Sequence, residues 1–260
     1  MLDILYLDDH LVAINKPSGL LVHRSEIDRH ETRFVLQLLR NQLGQRVYPV
    51  HRLDKPTSGV LVFALSSEMA SMIADQWRER AIDKRYLAIV RGYMPEFVHL
   101  DYAMSPPIDK YAKQEVIKPA QEAITDFSLL ATVEMDVEID KYPQSRYSLV
   151  EVMPKTGRKH QIRRHLKHLS HPIIGDARYG KGRHSRYFRD HFDAGRLLLH
   201  AWQLSMTHPV TGQPLVFTAP LDDIWLSLVK RFQWQQQLPS LLSETLPGTR
   251  HEAPSTLAQQ

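Results

Sequence analysis

Two hydrophobic periods alternate along this chain, and the points where one gives way to the other outline its elements. Ile4–Leu7 and Leu11–Asn15 are short apolar runs flanking Asp8, Asp9 and His10, a pattern that predicts a hairpin. It should end at an extended Lys16–Pro17 step and a Ser18–Gly19 turn. Apolar spacing over residues 32–43 (TRFVLQLLRNQL) predicts a helix. Residues 60–65 (VLVFAL) are a nearly unbroken apolar run after Gly59, as expected of a strand buried on both faces. Ser66 or Ser67 should cap the next helix, where Met69, Ile73 and Trp77 recur every fourth position and the helix ends near Arg80. Residues 84–92 (KRYLAIVRG) read as a strand carrying Tyr86, Ala88 and Val90 on one face.

Further along, residues 134–140 (EMDVEID) alternate acids with apolar residues, which predicts a strand with one solvated acidic face. Residues 146–154 (RYSLVEVMP) read as a strand stopped by Pro154, followed by a Thr156–Gly157 turn into a basic helix at 158–169. On that helix Ile162, Leu166 and Leu169 form the apolar stripe, and Arg163 at its flank is able to reach inward before Pro172 ends the segment. Residues 196–206 (RLLLHAWQLSM) predict another strand, residues 211–214 (TGQP) a turn, and residues 222–232 a capped helix packing through Ile224, Leu228 and Phe232. No repeat or linker divides residues 1–245, so the expectation is one α+β domain followed by a flexible polar tail at 246–260.

Composition narrows the chemistry. The 260 residues include no cysteine, which removes disulfides, thiolate catalysis, iron–sulfur clusters and cysteine-rich zinc sites together. The N-terminus lacks the basic start and long apolar stretch of a signal peptide, and no apolar run is long enough to span a bilayer, so a soluble cytoplasmic protein is expected. Lys plus Arg number 33 against 29 Asp plus Glu, a net charge of only +4. Distribution matters more than the total: residues 158–168 carry Arg158, Lys159, Arg163, Arg164 and Lys167 without one acid. Residues 178–189 add Arg178, Lys181, Arg183, Arg186 and Arg189, so a polyanion on one side of the molecule is a natural partner.

The most informative segment is residues 51–65, HRLDKPTSGVLVFAL, which sets Asp54 among His51, Arg52 and Lys55 at the mouth of a buried strand. An isolated Asp–Lys–Pro triplet would read as a turn cap. The longer run is similar to the central signature of the RluA-type RNA pseudouridine synthases. Three further segments follow the same family pattern in order: LVAINKPSGLLVH before it, KRYLAIVRG after it, and TGRKHQIRRHL with HPIIGD beyond. In length and in its downstream motif the chain most resembles the branch of that family acting at position 65 of tRNA.

The resemblance implies a fold and a set of roles. The fold is a mixed, mostly antiparallel central sheet with flanking helices and a central cleft. The reaction is isomerisation of uridine to pseudouridine in RNA, which is redox-neutral and calls for no cofactor and no metal. Asp54 matches the family's nucleophile, which attacks C6 of the uracil or C1′ of the ribose. Arg163 matches an arginine able to hold that carboxylate, Tyr86 a tyrosine packing on the target base, and Arg52 an arginine that helps displace the nucleotide from its stack. Arg158, Lys159, Arg164 and Lys167 are expected on RNA phosphates at the cleft rim, with residues 178–189 alongside them. Asp176 and His200 are expected to order turns and strands, and His160, His165, His168 and His171 to meet phosphate or water rather than zinc. The expected partner is tRNA, with no membrane and no obligate protein partner. The alternatives are the same chemistry on ribosomal RNA and an idle RNA-binding or chaperone protein.

Overall fold

The chain makes its first turn where the sequence demands one. Strands β1 (Asp3–Leu7) and β2 (Leu11–Lys16) pair antiparallel, and Asp8 closes the hairpin by accepting the backbone N–H groups of His10 and Leu11. This is a computed structural model, and it describes residues 1–23, 32–106 and 119–243. Helix α1 (Val35–Leu43) begins three residues later than the 32–43 pattern predicts, because Phe34 is still extended, and it ends on left-handed Gly44. After the short β3 (Tyr48–Pro49) comes β4 (Ser58–Ala64), buried at every position as its apolar run predicts. Helix α2 (Ser67–Arg78) is capped by the Ser66 hydroxyl, which accepts from the Met69 N–H.

Strand β5 (Asp83–Arg91) leads to β6 (Phe97–Asp101), β7 (Ile124–Met135) and β8 (Ser145–Pro154). The strand predicted at 134–140 is corrected here: β7 stops at Met135, and residues 136–144 form bends. The Val137 N–H turns back to the Met135 carbonyl and the Ser145 hydroxyl donates to the Val137 carbonyl, so the backbone is satisfied locally rather than by a ladder. Helix α3 (Gln161–His168) starts at 161 and not at 158, because His160 sits in the left-handed region at φ 58°. Beyond it lie α4 (Gly182–Phe192), β9 (Leu199–Thr207), β10 (Pro214–Thr218), α5 (Asp223–Arg231) and the short α6 (Ser240–Ser243). Helix α5 buries Trp225, Leu228 and Val229, so its contact stripe is rotated from the predicted Ile224–Leu228–Phe232 line, whose outer two members pack only partly buried. The tail expected at 246–260 lies outside the described residues.

All ten strands join one mixed sheet in the order β1-β2-β4-β9-β5-β8-β7-β6, with β10 on β9 and β3 on β4. Every strand pairing is antiparallel except that of β4 with β9, which holds at only two positions, Ser58 with His200 and Gly59 with Ala201. The sheet is therefore two antiparallel halves joined by a short parallel step. Gly59 is required there: at φ 112°, a Cβ on it would lie 2.1 Å from the Ala201 carbonyl oxygen. Next to the step, the register of β9 against β5 slips between Arg85 and Leu87, a bulge opposite Tyr86. One apolar cluster, with Phe127, Tyr147, Phe188 and Trp225, packs β5, β8 and β9 against α3, α4 and α5. Two others cover the opposite faces of the β2–β4 half, one under α2 through Ile73 and one under α1 through Leu39.

Candidate active site

The parallel step places three separate segments around one cavity of about 350 Å³. Asp54 comes from the loop before β4, Tyr86 from β5, and Arg163 from the first turn of α3; all three line the cavity, with Arg52 exposed beside them. The Asp54 loop is pinned from below. Its Asp54 carbonyl accepts the Thr57 N–H at 3.0 Å, Ser18 Oγ donates to the Pro56 carbonyl at 2.7 Å, and the Gly19 N–H donates to the Lys55 carbonyl at 2.9 Å. Lys16, fully buried at the end of β2, adds Nζ bonds to the carbonyls of Pro17, Leu20 and Lys55 at 2.8–3.1 Å. Burial, reinforced by the charge of Arg196 and opposed by that of Asp54, pulls the Lys16 ammonium down to about 7.

Arg163 holds two carboxylates at once. Its Nε and one terminal nitrogen clasp Asp176 at 2.7 and 2.9 Å, and the other terminal nitrogen donates to Asp54 Oδ2 at 3.0 Å. Burial works against its charge, but the hydrogen bonds and charges of Asp176 and Asp54 more than offset that and hold the guanidinium above its ordinary range. Asp176 is buried too, and burial opposes its ionisation. The Arg163 bond and the backbone N–H groups of Tyr179 and Arg178 hold its carboxyl below the ordinary range all the same. Asp176 was expected only to order a turn; it orders that turn and anchors Arg163 through the same carboxylate.

Gln161 explains why α3 starts where it does. Its amide oxygen accepts the Thr156 hydroxyl and the Arg158 N–H, and its amide nitrogen donates to the Ile124 carbonyl and Thr125 Oγ1. This buried amide thus ties the 156–158 turn to β7 and leaves Arg163 directed at Asp54. His160 Nε2 lies 3.8 Å from Asp54 Oδ2, and its Nδ1 lies 3.0 Å from the Tyr179 hydroxyl. Burial, then the charges of Arg163, Lys159 and Arg178, lower the His160 pKa against the opposing pull of Asp54, which favours the neutral ring. The Tyr86 phenol is pushed up by burial and by the Asp54 charge, which keeps it protonated at neutral pH. His51, which faces Trp77 at a ring separation of 4.9 Å, accepts the Val62 N–H; burial and the Lys84 charge lower it to about 3.

The basic residues divide. Arg158 lines the cavity while its Nε donates to the Glu122 carbonyl; Lys159 is exposed; Arg164 donates to the Ser105 carbonyl; Lys167 lies 5.9 Å from the Tyr179 ring centre. The 178–189 segment is split: Arg178 stays at the Tyr179 ring, whereas Arg183 turns to Asp140 beside a second cavity that shares no lining residue with the first. The four histidines of interest form no metal-binding group among the described residues. His165 bonds Thr125 and the Tyr102 carbonyl, His168 stacks on Tyr102, His171 donates to the Arg91 carbonyl, and His160 faces Asp54. His200 bridges Ser58 Oγ and the Ala219 carbonyl at the parallel step, a structural position. Sequence reasoning missed Lys16, Gln161, Tyr179, Lys84 and Trp77 as parts of this region. Lys16 offered one signal, a lone cation ending an apolar strand.

Comparison with known proteins bears directly on this constellation. A family model described as RNA pseudouridylate synthase matches residues 10–168. The tRNA pseudouridine synthase C of Vibrio parahaemolyticus is 53% identical over 241 residues, 91% of this chain and 97% of that protein. The protein of the same name from Yersinia pestis is 49% identical over 253 residues, covering 96% and 98%. Among solved structures, human RNA pseudouridylate synthase domain containing 4 superposes with a TM-score of 0.64 at 28% identity, covering 89% of this chain and 93% of that one. The matched segment runs from the β1–β2 turn to the end of α3 and so holds Asp54, Tyr86 and Arg163 together; the chain belongs to the RNA pseudouridylate synthase family.

Proposed function

We propose that this protein isomerises a uridine of tRNA, at position 65, to pseudouridine in the cytoplasm, with Asp54 as nucleophile. The observation that carries the reading is the Asp54–Arg163–Asp176 chain. It leaves Asp54 Oδ1 without a partner among the described residues while Oδ2 is held at 3.0 Å, inside a cavity sized for one nucleoside. A nucleophilic carboxylate must be charged yet sheltered from water, and a buried guanidinium reconciles the two demands. The tRNA assignment rests on the relatives named tRNA pseudouridine synthase C and their near-complete coverage.

In this reading the target nucleotide leaves its stack, aided by exposed Arg52, and its base packs on Tyr86. Asp54 Oδ1 attacks C6 or C1′, the N1–C1′ bond breaks, the base turns, C5 bonds to C1′, and the bond to Asp54 breaks so that the carboxylate leaves with its electron pair. The C5 proton is then lost to solvent and N1 gains one, so atoms and electrons balance without any cofactor. Tyr86, held protonated, serves as a packing surface and a hydrogen-bond donor rather than as an ionised base. Tritium release from 5-labelled uridine, measured on bulk tRNA and on ribosomal RNA, tests the substrate. Release from tRNA that stops when residue 65 is a cytidine supports the reading, and release from ribosomal RNA alone overturns it.

A further inference from the structure

Beyond Trp77 the active-site cavity continues into a second hollow of about 260 Å³, and the two share Trp77, Lys84, Thr156, Gly157 and Arg158. Five cations line this hollow, Arg78, Arg80, Lys84, Lys155 and Arg158, and no acid does. Three of them are neutralised on their outer sides: Arg78 by Asp75, Arg80 by Glu122, and Lys155 by Asp126 at 3.5 Å. The two at the boundary between the cavities are not. Among the described residues no carboxylate pairs with Lys84 or Arg158; Lys84 lies 5.1 Å above the Trp77 ring, and the Arg158 guanidinium bonds only the Glu122 carbonyl.

An ammonium left among like charges is poised to receive an anion. Burial lowers Lys84 to about 8, with Lys155 and Arg80 adding to the effect and Asp83 opposing it. A phosphate would relieve that crowding, and RNA supplies one on each side of any nucleotide drawn into the cavity. We infer that Lys84 and Arg158, backed by the Trp77 ring, form a subsite for the backbone phosphate next to the target uridine, so that the RNA strand leaves the active site over α2. This rests on the RNA-modifying reading above and extends it, because Lys84 and Trp77 lie outside the basic face of α3. The subsite gives the strand a direction across the cleft.

The test uses Lys84→Met, which keeps the stem over Trp77 and removes the charge, with Arg158→Gln and the double variant. Arg183→Gln, at the separate cavity, removes an equal charge elsewhere. Single-turnover tritium release from tRNA is measured against protein concentration and salt. Each lost phosphate contact should reduce the log–log salt slope by about 0.7 to 0.9. Between about 50 and about 200 mM salt the wild type should therefore lose roughly threefold more affinity per contact than the variant. Arg183→Gln should leave the slope alone. A methylphosphonate on one side of the target uridine should weaken binding to the wild type and add nothing in the double variant. Equal slopes in all proteins, an equal effect of Arg183→Gln, or methylphosphonate losses that persist in the double variant would each overturn the subsite. Thermal melting identifies a variant that fails to fold, and Arg158→Lys, which restores the charge, should then recover the slope. If the wild type itself releases no tritium from tRNA, the functional reading fails instead.

Discussion

Arg163 shows how much of this site depends on the shape of one side chain. Its guanidinium spends two donors on Asp176 and one on Asp54, a division that a single ammonium cannot reproduce. Arg163→Lys is therefore expected to slow single-turnover isomerisation by about a hundredfold or more, since displacing a reacting group by even an ångström costs that much. Retention of the wild-type rate would show that Asp54 needs no such anchor. Asp54, Tyr86 and Arg163 were legible because each lies in a contiguous run whose order resembles a family. Asp176 was legible only as a turn residue: its bond to Arg163 crosses the Pro172 turn, and only tertiary packing closes that distance. Lys16 was read as the end of a hairpin, and nothing local reveals that three carbonyls from two loops converge on its ammonium.

At the scale of elements, period-two and period-3.6 patterns located β1, β2, β4, β5, β8 and β9 and the helices α1, α2, α3 and α5. The misses have physical causes. Strands β6 and β7 are half exposed along much of their length, so their apolar signal is weak, and the charges of α4 dilute the stripe made by His184 and Phe188. The parallel step was not foreseen either, although its Gly59 was visible. Gly59→Ala should cost about 3 kcal/mol, because the new methyl group meets the Ala201 backbone at the seam of the sheet. A lowered urea midpoint at constant m-value is the expected result. The β1–β2 turn offers a second check. Asp8 accepts from the Tyr6 hydroxyl at 2.7 Å, from His10 and Leu11 backbone N–H groups, and lies 2.9 Å from His208 Nε2 near the β9–β10 turn. Burial opposes its charge, yet the Tyr6, backbone and His208 bonds lower its pKa from 3.8 to about 2. A depressed folded pKa stabilises above the unfolded value and is lost as pH falls through the folded one. Asp8→Asn should thus be less stable than wild type by about 1 to 2 kcal/mol near neutral pH, with the gap closing as pH drops from about 4 towards 2. A gap constant across that range would remove the carboxylate from the account.

For the whole molecule, the mixed sheet and its central cleft follow from the resemblance more than from periodicity, since no pattern of apolar residues specifies strand order. The charge runs located the basic face of α3 but not its neighbours: within the 178–189 run Arg178 stays at the Tyr179 ring while Arg183 turns to Asp140, and the hollow behind Trp77 draws its cations from two separate stretches of chain, residues 78–84 and 155–158. Because His165 and His168 meet at Tyr102 while His160 faces Asp54 and His171 the Arg91 carbonyl, and because the isomerisation balances without a metal, a zinc-selective chelator should leave turnover unchanged. Activity lost to the chelator and restored by zinc would contradict that. The central claim is that Asp54 performs the chemistry, and tritium release by Asp54→Asn from 5-labelled uridine in tRNA addresses it most directly. The amide keeps the shape of the side chain but is no nucleophile, so the variant should melt and bind tRNA like the wild type while releasing no tritium above background. Measurable turnover by a verified Asp54→Asn protein would contradict the account.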